Sequence, residues 1–166
     1  MKVFFVGFMG SGKTTWSRKL ATHLGYAFID LDHVLEEQAG MTIAEYFSSF
    51  GEDAFRTLES TILKETAYPE NAIISTGGGL PCFFDHMEWM NANGKTLYLK
   101  LNPKALAERL ESGKDKRPLL QDKHGDDLIT FIGLKLAERE SYYLQATYIV
   151  DGINQTTKKL AEIIRS

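Results

Sequence analysis

At 166 residues the chain can bury one proper core and is too short for two comfortable domains. A content of 43% hydrophobic and 25% charged residues is that of a soluble globular protein, and a net charge of −3 excludes an overall basic field for nucleic acid or a membrane surface. Cys82 is the single cysteine, which excludes an internal disulfide and a cysteine-based zinc cluster; no apolar run approaches about 18 residues, so the expected compartment is the cytoplasm, with no membrane span or signal peptide.

The apolar run Val3-Phe4-Phe5-Val6 predicts a buried strand over 2–6. Gly7-Phe8-Met9-Gly10-Ser11-Gly12-Lys13-Thr14 follows at once, a complete G-x-x-x-x-G-K-[ST] loop, and a helical pattern over 13–24 follows that. Strand, glycine loop and helix together are the setting in which this motif binds a nucleoside triphosphate. The glycines let the backbone turn its N–H groups onto phosphate oxygens, and the helix start adds unpaired N–H groups and the positive end of its dipole. Lys13 suits the β- and γ-phosphates and the Thr14 hydroxyl suits Mg²⁺. Gly10, Ser11, Gly12, Lys13, Thr14 and Thr15 form the expected ATP-binding set.

A second strand over 26–29 runs into Phe28-Ile29-Asp30-Leu31-Asp32. Residues two apart on a strand share a side, so both carboxylates can face the mouth above a sheet. Asp30 could then hold Mg²⁺ through its water shell, and Asp32 could orient an acceptor hydroxyl and take its proton. Helix capping before His33 is the plainer reading of the same pair. Helices follow over 33–39, 42–49 and 52–67. Arg56 and Glu59 lie three apart on the last of these and can pair, and spacing alone favours a surface ion pair. The third strand, 72–75, enters Thr76-Gly77-Gly78-Gly79, where three glycines imply a sharp bend or close approach of backbone to ligand. Many phosphate-loop enzymes carry an acid at this point and none stands here, which leaves Thr14 and Asp30 as the expected magnesium ligands.

A helix over 84–92, a strand over 95–101 and a helix over 103–111 with Pro103 at its start come next. The polar stretch from Glu111 to Asp127 is basic in its first half and reads either as a solvated loop or as a lid bringing cations to a triphosphate. A long helix over 126–145 carries Arg139, and a strand over 147–150 and a helix over 155–165 end the chain. The expected fold is α/β, a P-loop NTPase-type three-layer sandwich with a five-stranded parallel sheet, helices on both faces and a lid segment, in a single domain over 1–166.

Taken in order, Gly-Phe-Met-Gly-Ser-Gly-Lys-Thr (7–14), Phe-Ile-Asp-Leu-Asp (28–32), Gly-Glu-Asp-Ala-Phe-Arg-Thr-Leu-Glu (51–59), Ser-Thr-Gly-Gly-Gly (75–79), Arg-Pro-Leu-Leu (117–120) and Glu-Arg (138–139) resemble the shikimate kinase family over nearly the whole chain. The resemblance implies ATP-dependent phosphorylation of the 3-hydroxyl of shikimate by a monomer, with Mg²⁺, a lid at about 111–125 and substrate-binding helices at about 33–62. It implies that Asp32 binds ring hydroxyls and acts as base, that Arg56 and Arg139 take the carboxylate, and that Gly78 and Gly79 supply backbone contacts. Phe47 and Phe55 match pocket-lining positions, Arg117 matches the lid arginine that joins Lys13 at the transferring phosphoryl group, and Arg109 matches a residue stacking on adenine. The chain departs from the family pattern after Arg139, with Glu140-Ser141-Tyr142-Tyr143 where a residue and then Pro-Leu-Tyr is usual, and with Gln145 and Thr147 in place of acids. It also lacks a proline near Val150 to Asn154 that the family often sets against adenine. Another small-molecule kinase of this fold, such as a gluconate or nucleoside monophosphate kinase, and a noncatalytic nucleotide switch are the alternatives. The triple glycine and Phe-Arg-x-x-Glu argue against the former, and the absence of a guanine-reading Asn-Lys-x-Asp argues against a GTPase.

Overall fold

The computed structural model describes residues 1–111 and 123–166. Five strands, β1 (Lys2–Val6), β2 (Ala27–Asp30), β3 (Ala72–Ser75), β4 (Lys95–Lys100) and β5 (Tyr148–Asp151), form one parallel sheet in the order β2-β3-β1-β4-β5. Between them run α1 (Lys13–Leu24), α2 (Leu31–Ala39), α3 (Ile43–Glu65), a short 3₁₀ turn (Leu80–Cys82), α4 (His86–Asn93), α5 (Pro103–Glu111) and α6 (Gly125–Tyr143), and α7 (Thr157–Arg165) closes the chain.

Alternation along each strand divides the core into two layers. Phe4, Val6, Ile74 and Tyr98 pack with Leu35 of α2, Ile62 and Leu63 of α3, Met87 and Met90 of α4 and Tyr143 of α6. Val3, Phe5, Ile73, Leu97 and Leu99 pack on the other face with Leu20 of α1 and with Leu160 and Ile164 of α7. The central strands carry continuous apolar runs, Val3–Val6, 72–74 and 97–99, because both faces are covered, as a parallel sheet requires. A third cluster, built on Phe8, Leu106, Leu110, Leu128 and Ile132, fastens α5 to α6 beside the phosphate loop.

One boundary differs from the sequence-based expectation in a way that matters for the site, and one expected break is explained by its backbone. Helix α2 starts at Leu31, two residues before the expected position, because Asp30 caps it: Asp30 Oδ1 accepts from Asp32 N at 3.0 Å and His33 N at 3.5 Å. The helices expected over 42–49 and 52–67 both form, within the span Ile43–Glu65, and meet at a break at Gly51, whose φ of 86° and ψ of 173° are open in practice only to glycine. The N-terminus of that span carries a capping box, with Thr42 Oγ1 accepting from Glu45 N at 3.1 Å. The connections wind to one side of β1 through β3 and then cross to the other side at β4. The carboxyl ends of β1 and β3 therefore flank a topological switch point, the position where such sheets bind ligands.

Candidate active site

The phosphate loop leaves β1 and enters α1 through Gly12, which has φ 96° and would meet Arg109 Nη1 at 2.7 Å if it carried a Cβ. Lys13 is buried, and its Nζ donates to Gly7 O at 2.7 Å and to Phe8 O at 3.0 Å, so its ammonium group lies within the loop it follows. Thr14 Oγ1 lies 3.4 Å from Ser75 Oγ at the end of β3. Ser11 is buried as well, and Arg109 reaches from α5 to Gly10 O at 3.5 Å. A cleft of about 330 Å³ opens above these groups, lined by Met9, Gly10 and residues 12–15 of the loop, by Asp30 and Asp32, and by residues 75–78.

Asp30 and Asp32 do share the cleft, though not as alternating strand residues. Asp30 is the cap of α2 and Asp32 stands in its first turn, so the capping reading and the cleft-lining reading are both realised. Burial raises the Asp32 carboxyl to about 6, with Asp30 pushing the same way and Lys13 and Arg56 pulling it down. For a magnesium ion the donors fit: a Thr14 hydroxyl and an Asp30 carboxylate are hard oxygens on one wall, and both cap bonds of Asp30 fall on Oδ1. Among the described residues there is no cluster of three His, Cys, Asp or Glu side chains that could hold a metal ion.

Arg56 and Glu59 pair at 2.8 Å, with Glu59 buried and Arg56 largely covered, their side chains 4% and 11% exposed, which corrects the expectation of a surface pair. The helix register gives the pairing; the cover comes from the β3 loop and the 3₁₀ turn, which spacing along α3 does not reveal. Burial outweighs this ion pair at Glu59 and raises its carboxyl to about 7. A Cβ on Gly77 would lie 2.9 Å from Asp32 Oδ1 and 3.3 Å from Glu59 Oε2, so the two carboxylates flank one glycine.

The glycines after β3 admit the arginines. Arg56 Nη2 lies 2.6 Å from the position of a Gly79 Cβ, and Arg139 Nη1 lies 3.6 Å from that of Gly78. Arg56 Nε and Arg139 Nη1 are buried and have no hydrogen-bond partner among the described residues. Buried guanidinium nitrogens of this kind are costly unless an anion meets them. Arg56 also lies over Phe83 at 4.1 Å and Phe55 at 5.0 Å; Phe55 is buried, while Phe47 is 40% exposed with its ring 5.7 Å from that of Phe55. Arg117 lies outside the described residues.

Phe83 takes part in this arrangement without any signal in the sequence, while Met9, Ser75 and Thr76 lie within the sequence motifs but have no role of their own assigned by them. Thr76 is one example: its Oγ1 donates to Phe5 O at 2.8 Å and ties the glycine loop to β1.

The shikimate kinase family model matches residues 9–166. A shikimate kinase of Bacteroides thetaiotaomicron is 42% identical over 172 residues, spanning 99% of this chain and 98% of that one. The crystal structure of shikimate kinase from Bacteroides thetaiotaomicron superposes with a TM-score of 0.94 at 41% identity, over 100% of this chain and 99% of the other. Shikimate kinase from Acinetobacter baumannii, solved in complex with shikimate, gives a TM-score of 0.84 at 33% identity over 99% and 90% of the two chains. Agreement of this extent in both sequence and structure means that the chain belongs to the shikimate kinase family.

Proposed function

We propose a division of labour within this cleft by which the chain transfers the γ-phosphoryl group of ATP to the 3-hydroxyl of shikimate. The observation that carries it is a pair of half-buried arginines, each with a buried nitrogen that has no partner among the described residues, set against backbone glycines within one loop of a phosphate-binding site. In a protein of net charge −3, two such cations make a local site for a carboxylate. Arg56 and Arg139 hold the acid end of shikimate, Gly78 and Gly79 offer backbone, and Phe47 and Phe55 flank the ring. Glu59 fixes the Arg56 fork through the 2.8 Å pair.

Residues 10–15 cradle the ATP phosphates, with Arg109 at the nucleotide side and Arg117 brought in by a lid at about 111–125. Helices over about 33–62 form the substrate-binding part of a single domain. Thr14 and Asp30 would hold Mg²⁺, which supplies neutralising charge at the phosphates. Asp32 accepts the proton of the shikimate hydroxyl as its oxygen bonds to phosphorus, the bond to the bridging oxygen breaks, and the electron pair leaves on ADP. Charge builds on the transferring oxygens in a loose transition state, where Lys13 and Arg117 lower its energy. We further propose that the chain works as a cytoplasmic monomer without nucleic-acid or membrane partners; no helix among the described residues is long and apolar enough to cross a membrane.

An ADP-release assay with Mg-ATP and shikimate, with gluconate and no acceptor as controls, tests the assignment. Turnover that requires shikimate and disappears in Arg56→Ala supports both substrate and anchor. ATP turnover indifferent to shikimate overturns them.

A further inference from the structure

Helix α6 offers two residues one turn apart, Arg139 and Tyr143, to a single glycine. Arg139 Nη1 comes to 3.6 Å of the Gly78 Cβ position, and the Tyr143 hydroxyl donates to Gly78 O at 2.5 Å. Tyr143 is fully buried and its ring packs on Tyr98, with 5.1 Å between centroids. The Tyr98 hydroxyl donates instead to Glu140, which also pairs with Lys100 at 3.4 Å. Two packed tyrosines thus divide their hydroxyls, one to the glycine loop and one to the β4–α6 frame. Burial raises the Tyr143 hydroxyl well above the ordinary phenol range, with Arg139 opposing in part, so it remains a donor at every working pH.

The consequence lies in the peptide that Tyr143 holds. A trans peptide is planar, so a Gly78 carbonyl drawn toward α6 turns the Gly79 N–H to the opposite side. Between two glycines no Cβ restrains that plane, and the unanchored peptide could rotate. Thr76 holds the start of the loop through Phe5 O, and Leu80 N donates to Gly77 O at 3.2 Å, yet neither bond touches the Gly78 carbonyl. We propose that Tyr143 is a positioning residue for acceptor binding: its hydroxyl locks the Gly78–Gly79 peptide with the Gly79 N–H turned from α6 toward the acid group of shikimate. This rests on the reading of Arg56, Arg139 and the two glycines as the carboxylate site.

Tyr143→Phe removes only the hydroxyl. The shikimate Kd by calorimetry and its KM are expected to rise about tenfold, with kcat and the ATP KM within about twofold. The methyl ester of shikimate, which lacks the anionic group, should bind wild type and variant alike. Tyr98→Phe loses a hydroxyl from the same ring pair without touching the loop and should keep the wild-type Kd. A wild-type Kd in Tyr143→Phe, or equal weakening in both variants, overturns the proposal. Independently of any variant, the Gly79 amide resonance of the wild-type protein should shift on titration with shikimate, and its indifference would also overturn the proposal. Arg139→Met separates the two levels. If it retains affinity, the carboxylate site itself fails; if it loses affinity while Tyr143→Phe does not, only the role of Tyr143 fails.

Discussion

Asp32 and Glu59 face each other beside Gly77, both with carboxyls raised, to about 6 and about 7, and burial is the first cause of each. A raised folded-state value means the native protein holds protons that the unfolded chain has released. The stability this gives is present below about pH 4 and is lost as pH rises through 6 to 7. Glu59→Gln should therefore flatten the pH dependence of the ligand-free protein by about 1–3 kcal/mol between pH 4.5 and 7.5, read from urea midpoints. An unchanged slope would mean that Glu59 is not the group that titrates. For turnover the sign reverses, because only ionised Asp32 can take a proton, and kcat/KM for shikimate should fall below about pH 6. Asp32→Asn keeps a partner for the hydroxyl but cannot accept its proton. It should lower kcat about 10²-fold or more and leave the shikimate Kd nearly unaltered; an unaltered kcat in steady-state kinetics would remove Asp32 as the base. The phosphate loop and both aspartates were legible from residue types and spacing. The burial of Arg56 and Glu59 was not, because a three-residue spacing defines a pair and says nothing of what covers it.

Among the elements, the strands stood out as apolar runs and the helices as periodic stretches, so the parallel sheet and its layers followed from pattern alone. Boundaries depended on local polar bonds that pattern does not carry. The start of α2 moved to Leu31 because Asp30 spends one oxygen on its cap, and this brings Asp32 to the cleft from a helix turn, not from a strand. The break at Gly51 separates the helical segment bearing Phe47 from the one bearing Phe55, Arg56 and Glu59. No atom lies within 4 Å of a Gly51 Cβ, so a substitution there would tax the backbone alone. Gly51→Ala should cost about 1–3 kcal/mol through the positive φ, seen as a lower thermal midpoint. As the two segments realign, the shikimate KM should rise while the ATP KM holds. Equal loss for both substrates would show that the break serves stability without orienting the acceptor side.

For the molecule as a whole, the segment that follows α5 joins the two halves of the chemistry. Helix α5 carries Arg109 over the phosphate loop, and α6 carries Arg139 and Tyr143 at Gly78. The two ends of the joining segment are tied to each other, since Gly125 N donates to Glu111 Oε1 at 3.1 Å, and Phe8, Leu110 and Leu128 pack below. The function proposed above gives Arg117, within that segment, the transferring phosphoryl group. Its charge would then act when negative charge spreads over three oxygens and would contribute little to binding the acceptor. Arg117→Ala should lower kcat on the order of 10²–10³-fold, with the shikimate Kd by calorimetry within about twofold of wild type. A collapse of shikimate affinity in this variant would place Arg117 in the acceptor site and undo the separation of acid-binding and phosphate-binding cations.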